Sequence, residues 1–227
     1  MAAIYKVLSA LLSYPTEELQ VASSDIAAVV LKNTAFPAAT AEALALLAVD
    51  LGSGDLLDLQ ACYVDLFDRS RSLSLNLFEH VHGESRDRGQ AMVDLRERYR
   101  AAGLDLAGNE LPDHLPLFLE FLSVLPDGKA QGYLADAAHV LRALGERLTS
   151  RGSPYAAVFA ALESLAQQAP DEVLLSELRK APEDNPNDLA AIDRAWEETE
   201  VRFGTGDAKD GCPRTAFREQ LRAGARS

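Results

Sequence analysis

Apolar residues recur along this sequence at the spacing of an α-helix, and no other feature constrains the fold as strongly. Five residues near the start lie on one face of an amphipathic helix, at positions i, i+3, i+4, i+7 and i+8: Ile4, Val7, Leu8, Leu11 and Leu12. A longer stripe predicts a single helix that Gly152 closes: Tyr133, Leu134, Ala137, Val140, Leu141, Leu144 and Leu148. No stretch alternates strictly as a half-buried strand does, and only residues 73–81 are a candidate strand. The periodicity therefore predicts an all-α fold.

Prolines, glycines and capping residues divide the chain into about nine or ten helices. Thr16 is the predicted N-cap of the second helix, and Asp113 is the predicted N-cap of a later one. Residues 1–203 are predicted to form a single compact globular domain, whose last long helix begins at Asn187. The remaining residues, 204–227, are polar and contain glycine, so we expect a mobile tail.

The charge of the chain restricts its partners. Its 227 residues carry a formal net charge of −13, and such a surface repels phosphate groups, which argues against nucleic acid as a partner. A basic peptide is the natural complement, although an acidic surface also serves solubility alone. Residues 69–100 depart from this trend, because seven arginines and five acidic residues give them a local net charge of +2, which leaves −15 for the rest.

Cysteine usage and hydropathy indicate a reducing, aqueous environment. Cys62 and Cys212 are the two cysteines, and they form no C-x-x-C pair. No apolar run approaches the length of a membrane span, so direct membrane insertion is not expected. The short N-terminal apolar stretch is interrupted by Ser9 and Ser13, and its helical periodicity favours a helix of the mature fold over a signal peptide.

His80 and His82, flanked by Glu79 and Glu84, are the residues with the best spacing for a metal site. Zinc or iron needs three or four convergent ligands, however, and the other two histidines lie in separate predicted helices. The sequence contains no phosphate-binding glycine loop and no catalytic serine turn. We therefore expect neither an enzyme nor a bound cofactor, and a metal-dependent hydrolase using His80, His82 and Glu84 is the alternative.

Two long stretches resemble the signatures of the nitrate reductase delta-subunit chaperones, the NarJ type within the wider family of redox enzyme maturation chaperones. The first comprises YVDLFDR at 63–69 and LFEHVHGESRDRGQAMVDL at 77–95, and the second is NELPDHLPLFLEF at 109–121. Shorter matches are LLSYP at 11–15 and WEE at 196–198. The resemblance covers most of the chain, and its first block is long and unusual in composition.

This resemblance implies an all-helical, cytoplasmic chaperone. Members of the family bind the N-terminal segment of the immature catalytic α subunit of nitrate reductase. They hold that subunit while the molybdenum cofactor is inserted, delay its docking to the membrane and are absent from the finished enzyme. The implied partner is thus the α subunit, and proteins of molybdenum cofactor biosynthesis are a second candidate class of partner.

The wider family shares an E-x-x-D-H cluster, which corresponds here to Glu110, Asp113 and His114. Sister groups place proline directly after the glutamate, whereas this chain has Leu111 there, which weakens the transfer of fine detail. By resemblance and by local charge, the expected client-binding residues are Glu110, Asp113, His114, Tyr63, Phe67, Arg86 and Arg88.

Structural alternatives stay open for most of these residues. Asp113 could serve only as a helix cap, and His114 could be a hydrogen-bonded structural histidine. Tyr63 and Phe67 lie four residues apart on one helix face and could belong to the core. For the whole protein, the alternatives are a chaperone of another molybdenum oxidoreductase and a permanent structural subunit of the reductase.

Overall fold

A computed structural model of the chain describes residues 2–82, 86–106, 108 and 110–180. In this part the protein is all-α, as the periodicity predicts, and contains no β-strand. Its helices are α1 (Ala2–Leu12), α2 (Glu17–Lys32), α3 (Ala38–Ser53), α4 (Leu56–Tyr63), α5 (Leu77–His82), α6 (Arg86–Ala101), α7 (Leu115–Val124), α8 (Asp127–Asp136), α9 (Ala138–Ser150), α10 (Ala156–Ala166) and α11 (Glu172–Lys180).

The first three helices begin and end where local signals place them. The Thr16 hydroxyl caps α2 by accepting a hydrogen bond from the amide of Leu19, and Glu17 and Glu18 lie in the first turn, where the helix dipole favours negative charge. α3 begins directly after Pro37. The Gln20 amide donates from α2 to the carbonyls of Leu51 and Gly54, which satisfies acceptors at the end of α3.

The core forms where amphipathic faces meet. α1 packs against α7, α2 against α3, and α9 against α10 and α11. The predicted face of α1 is buried at Ile4, Leu8, Leu11 and Leu12, and Val7 packs against the core at its edge. Ser9 joins the α1–α7 interface by donating a 2.8 Å hydrogen bond to the carbonyl of Pro116. No helix among the described residues has both the length and the apolar character that crossing a membrane requires.

The predicted strand at residues 73–81 is wrong. Arg71–Leu73 forms a 3₁₀ turn, and the residues from Leu77 onward form α5. The only strand-like feature that we find in the described ranges is an isolated antiparallel bridge between Asn76 and His114. A short segment buried on all sides is apolar throughout, whether it is a strand or a helix. Its sequence therefore shows no periodicity that distinguishes the two.

The long amphipathic stripe belongs to two helices, not one. α8 ends at Asp136, and Ala137, at φ −89° and ψ −2°, forms a turn that separates it from α9. Apolar residues on both sides of this break still face the core, which is why the periodicity continues across it. Gly152, at φ +64°, follows α9 as expected.

The helical segment that begins with α4 changes character after Tyr63. After Tyr63 the backbone continues as a π-helical turn, Val64–Asp68, closed by the Arg69 amide donating to the carbonyl of Val64. Such a turn shifts the following side chains around the helix axis, and π-turns are frequent at functional sites. The helix predicted to begin at Asn187 and the predicted tail at 204–227 lie outside the described residues.

Candidate functional site

Two surface cavities that share lining residues lie at the predicted site residues. Their volumes are about 250 and 420 Å³, and both are lined by Asp68, Glu110 and His114. We call the two cavities together the groove, and these three shared residues its waist. The waist joins the π-turn after α4 to the segment that precedes α7.

The smaller cavity is polar. Besides the waist, the residues that line it are Phe67, Ser70, Arg71, Ser74, Leu75, Asn76 and Glu79. Its arginine and its glutamate lie close together, since Nε of Arg71 is 3.5 Å from Oε1 of Glu79. The Ser74 hydroxyl donates to the other oxygen of Glu79 at 2.8 Å. These contacts partly neutralise and fix the charge of this cavity.

The larger cavity has an aromatic and aliphatic wall. The residues that line it, besides the waist, are Ser13, Tyr14, Tyr63, Pro116, Leu117 and Glu120. Tyr14 is 46% exposed, and its ring meets the Tyr63 ring edge-on, with 5.6 Å between the ring centroids. Behind Tyr14 the aromatic cluster continues into the core. The ring centroids of Tyr63 and Phe67 are 5.0 Å apart, and those of Phe67 and Tyr155 are 5.1 Å apart.

Tyr63 and Phe67 line the groove, yet both are core residues for most of their surface. Each is only 4% exposed. The Tyr63 hydroxyl donates a 2.8 Å hydrogen bond to the carbonyl of Leu12 at the end of α1, and burial raises the pKa of this phenol. The two predictions, groove wall and core, thus both describe these rings, whose outer edges are what a ligand could touch.

Negative charge at the waist is not balanced by lysine or arginine. Within the described residues, neither Asp68 nor Glu110 pairs with a lysine or arginine, and both are exposed. Burial, with a further contribution from the nearby Glu110 charge, raises the pKa of Asp68, whereas His114 acts in the opposite direction. The Glu110 charge therefore destabilises the charged form of Asp68, and a cation bound between the two carboxylates would relieve that repulsion.

His114 is a mostly buried ring that lines both cavities together with these carboxylates. Its Nδ1 is 3.7 Å from Oε2 of Glu110, and its side chain is 21% exposed. Burial lowers the pKa of His114, while Glu110, Asp113 and Asp68 counteract this effect. Because its pKa is lowered from the ordinary histidine value of about 6.5, the ring adds less positive charge to the waist at physiological pH than an exposed histidine would.

Asp113 has a different place from the one that the sequence predicts. The expectation that it caps its own helix is wrong, because His114 occupies the N-cap position of α7. Asp113 is fully buried, and its Oδ2 accepts a 3.0 Å hydrogen bond from the amide of Phe78 in the first turn of α5. The residue therefore caps a helix 35 positions earlier in the chain, and it does not line the groove.

The buried Asp113 carboxyl is incompletely satisfied. Its Oδ1 has no hydrogen-bond partner, and burial raises the pKa of Asp113 despite the Phe78 hydrogen bond and the charge of Arg88. Arg88, on α6, is half-buried, and its Nε is likewise without a partner. Arg88 thus acts on Asp113 and does not line the groove, and the side chain of Arg86 lies outside the described part of the chain.

The sequence prediction missed several groove residues, namely Tyr14, Asp68, Glu79 and Glu120. Tyr14 and Asp68 lie within the LLSYP and YVDLFDR matches, so the resemblance was a signal that could have included them. Glu79 was considered only as a neighbour of the histidine pair. Glu120 lies within the NELPDHLPLFLEF match, so the resemblance was a signal for it as well.

A buried arginine, also missed, fixes the loop that borders the polar cavity. Arg147, on α9, is 7% exposed and donates from Nη1 to the carbonyl of Ser72 and from Nη2 to the carbonyl of Leu178, both at 2.7 Å. These bonds connect the loop after α4 to α9 and α11. A buried charge is costly unless its polar atoms are hydrogen-bonded, so these bonds hold Arg147 in place. Arg147 is therefore a structural support of the groove.

The histidine pair is used in local packing. Nε2 of His80 lies 2.8 Å from the carbonyl of Ser74, so this nitrogen carries the proton of the neutral ring, and the His82 ring packs edge-on against Phe78 at 5.7 Å. Glu84, the third residue of the hydrolase alternative, lies outside the described residues. Within those residues, no group of three His, Cys, Asp or Glu side chains is placed to hold a metal ion.

An all-α fold with an acidic, aromatic-walled groove defines a helical binding protein. A family model described as nitrate reductase delta subunit matches residues 33–161. The chain is 45% identical over 208 residues to the nitrate reductase molybdenum cofactor assembly chaperone NarJ of Escherichia coli K12. This alignment covers 89% of this chain and 87% of the relative. The chain therefore belongs to the nitrate reductase delta-subunit family of molybdenum cofactor assembly chaperones.

Two further relatives have similar names. The probable nitrate reductase molybdenum cofactor assembly chaperone NarW of E. coli K12 is 42% identical over 220 residues, which covers 96% of this chain and 92% of that protein. A probable chaperone of the same description from Bacillus subtilis is 32% identical over 107 residues, covering 45% of this chain and 58% of the relative. The family resemblance is confirmed, and these relatives are named as chaperones and not as enzymes.

Proposed function

We propose that this chain binds the N-terminal segment of the immature nitrate reductase α subunit in its groove. It holds the subunit in the cytoplasm while the molybdenum cofactor is inserted, delays docking to the membrane partner and leaves before the enzyme is complete. The observation that carries this proposal is the waist, where Asp68 and Glu110 lie unneutralised beside an aromatic wall.

The groove suits an amphipathic segment with a basic residue. A lysine or arginine of the client would lie between the two waist carboxylates, where it relieves their repulsion and gains a charge-assisted hydrogen bond. An apolar client side chain would enter the larger cavity against Tyr14, Tyr63 and Leu117. In a helical segment, side chains three or four positions apart lie on one face, so one turn of helix presents both groups together.

Charge and apolar contacts contribute differently to such a complex. Exposed carboxylates attract a basic segment and fix its register, and salt screens this attraction over about 10 Å at 0.1 M ionic strength. Apolar burial is not screened and supplies about 25 cal/mol per Å² of covered surface. The client segment should therefore bind more weakly as salt rises, while retaining measurable affinity.

A calorimetric titration of a synthetic client N-terminal peptide, at low and high salt, tests this proposal. The variant Asp68→Asn/Glu110→Gln removes two charges from the waist, and we expect weaker binding with a flatter salt dependence. The matched control Asp25→Asn/Glu42→Gln removes the same charge from exposed positions of α2 and α3, and should bind as the wild type does.

The aromatic wall calls for its own variant. Tyr14→Ala removes a half-exposed ring, so it should fold normally, bind the peptide more weakly and keep the wild-type salt dependence. Absence of wild-type binding at low salt would refute the proposed function. Equal salt dependence in the waist variant and the control would refute the role of the waist.

The place of the chain in assembly needs a cellular experiment. In cells unable to make the molybdenum cofactor, the immature α subunit should accumulate in complex with a tagged form of this chain. In cells that make the cofactor, the mature membrane complex should lack it. Stoichiometric recovery with the mature complex would instead indicate a permanent structural subunit.

A further inference from the structure

We propose that Asp113 is a positioning residue for client binding, which holds the two sides of the groove together without touching the client. This inference rests on the proposed function of the groove. It gives the three residues of the family cluster two different roles. Glu110 and His114 face the ligand, whereas Asp113 fixes the position of the backbone that carries them.

Two separate segments of the chain meet at Asp113. Its carbonyl accepts a 3.0 Å hydrogen bond from the amide of Leu77, and its carboxylate accepts one from the amide of Phe78. Two residues further, the amide of Leu115 donates to the carbonyl of Leu75 at 2.8 Å. These bonds form a short zipper, and Asp113 supplies the acceptors of two of the three.

The two zippered segments also carry residues from facing sides of the groove. Leu75, Asn76 and Glu79 come from the first segment, and Glu110 and His114 from the second. Because the zipper joins the segments directly at the bridge between Asn76 and His114, its loosening would separate these sides. The width of the polar cavity thus depends on the Asp113 hydrogen bonds.

Burial separates Asp113 from any ligand in the groove. The residue is 0% exposed, and neither cavity includes it among its lining residues. The charged side chains that act on its carboxyl are the half-buried Arg88 of α6 and Glu79, and of these only Glu79 lines the groove. A fully buried carboxyl that caps a helix through one oxygen acts through geometry, because removal of an acceptor leaves the Phe78 amide unsatisfied.

Three variants separate positioning from direct contact. Asp113→Asn retains an oxygen acceptor for the Phe78 amide but no charge, Asp113→Ala removes both, and Glu110→Gln removes a charge from the waist alone. For each, we would measure peptide affinity at several salt concentrations, the melting temperature, and amide hydrogen exchange at Phe78 by NMR.

Positioning predicts a distinct pattern. In Asp113→Ala, the amide hydrogen of Phe78 should exchange faster. This variant should also bind the peptide several-fold more weakly, with the salt dependence of the wild type. Asp113→Asn should restore slow exchange and most of the affinity. Glu110→Gln should leave Phe78 exchange unchanged and flatten the salt dependence.

The proposal is overturned if Asp113→Asn keeps slow exchange at Phe78 yet flattens the salt dependence, since Asp113 would then contribute its charge to the client. It is also overturned if Asp113→Ala exchanges faster at Phe78 but binds with wild-type affinity. If Asp113→Ala does not fold, Asp113→Asn and Glu110→Gln still distinguish the two roles. Failure of the wild type to bind would refute the proposed function instead, and Phe78 exchange would still report the hydrogen bond.

Discussion

The amide of Phe78 donates a 3.0 Å hydrogen bond to the carboxylate of Asp113, which lies 35 residues later in the sequence. Helix caps are usually supplied by the residue directly before the helix. Here the cap of α5 comes from the segment before α7, so one hydrogen bond defines a helix start and also joins two parts of the groove.

The first prediction concerns the pH dependence that Asp113 brings to stability. Its folded-state pKa is raised by burial, so its contribution is fully present below the unfolded value of about 3.9 and is lost as pH rises through the folded pKa. Asp113→Asn does not titrate there. The melting temperature of this variant relative to wild type should therefore increase between about pH 4 and neutrality.

Thermal melts at half-unit pH intervals check this prediction, with Asp25→Asn on the exposed side of α2 as the control. A relative melting temperature that falls towards neutral pH would mean that Arg88 and the Phe78 amide stabilise the charged carboxylate more than burial destabilises it.

The second prediction concerns His80. Burial lowers its pKa in the folded state, while its Nε2 lies in hydrogen-bond contact with the carbonyl of Ser74. A depressed histidine pKa means that stability is present above the unfolded value of about 6.5 and is lost as pH falls from there through the folded pKa. His80→Gln keeps a donor and removes this titration, so it should lose less stability than wild type between about pH 6.5 and 5.

Urea unfolding followed by circular dichroism, at a series of pH values, measures the difference. His114 is present in both proteins. It also makes the free energy of unfolding decrease as pH falls, because burial lowers its pKa as well. Identical slopes for the variant and the wild type would show that His80 is not responsible for any part of that loss.

Local signals in the sequence predicted much of the fold. The start of α2 follows from Thr16, whose side chain accepts a hydrogen bond from the amide three residues later, as the capping pattern predicts. Non-local contacts explain the failures. The cap of α5 could not be predicted because Asp113 is distant in sequence, and Asp113 matched the pattern of a local cap so well that it was assigned to the wrong helix.

The groove was predictable only in part for a similar reason. Glu110 and His114 follow from a motif, and the structure places both at the waist. Asp68 shares that waist because the π-turn after Tyr63 changes the direction of the side chains that follow, and periodicity with 3.6 residues per turn does not describe such a change. Arg147 was missed because a buried arginine and an exposed one look alike in a sequence.

The third prediction concerns this buried arginine. Arg147→Met removes the donors to the carbonyls of Ser72 and Leu178, which should cost at least about 2 kcal/mol of stability. Arg142→Met on the same helix breaks ion pairs of a half-exposed side chain with Glu163 and Glu146, and should cost about 1 kcal/mol or less. Equilibrium denaturation compares the two, and similar losses would contradict a special role for Arg147.

The last prediction compares two glycines in helices. Gly52, near the end of α3, lies where an added Cβ would overlap the Ser23 hydroxyl oxygen on α2 and would be 2.5 Å from the Ser23 Cβ, so Gly52→Ala must force the two helices apart. Gly132 lies within α8, and a Cβ there meets nothing within 4 Å. Gly132→Ala should therefore stabilise the protein by about 0.5–1 kcal/mol through helix propensity, whereas Gly52→Ala should destabilise it. Adding Ser23→Gly to Gly52→Ala removes the clash and should recover part of the loss in a thermal melt. If Gly52→Ala melts as high as Gly132→Ala, the close approach of α2 and α3 at this point is wrong.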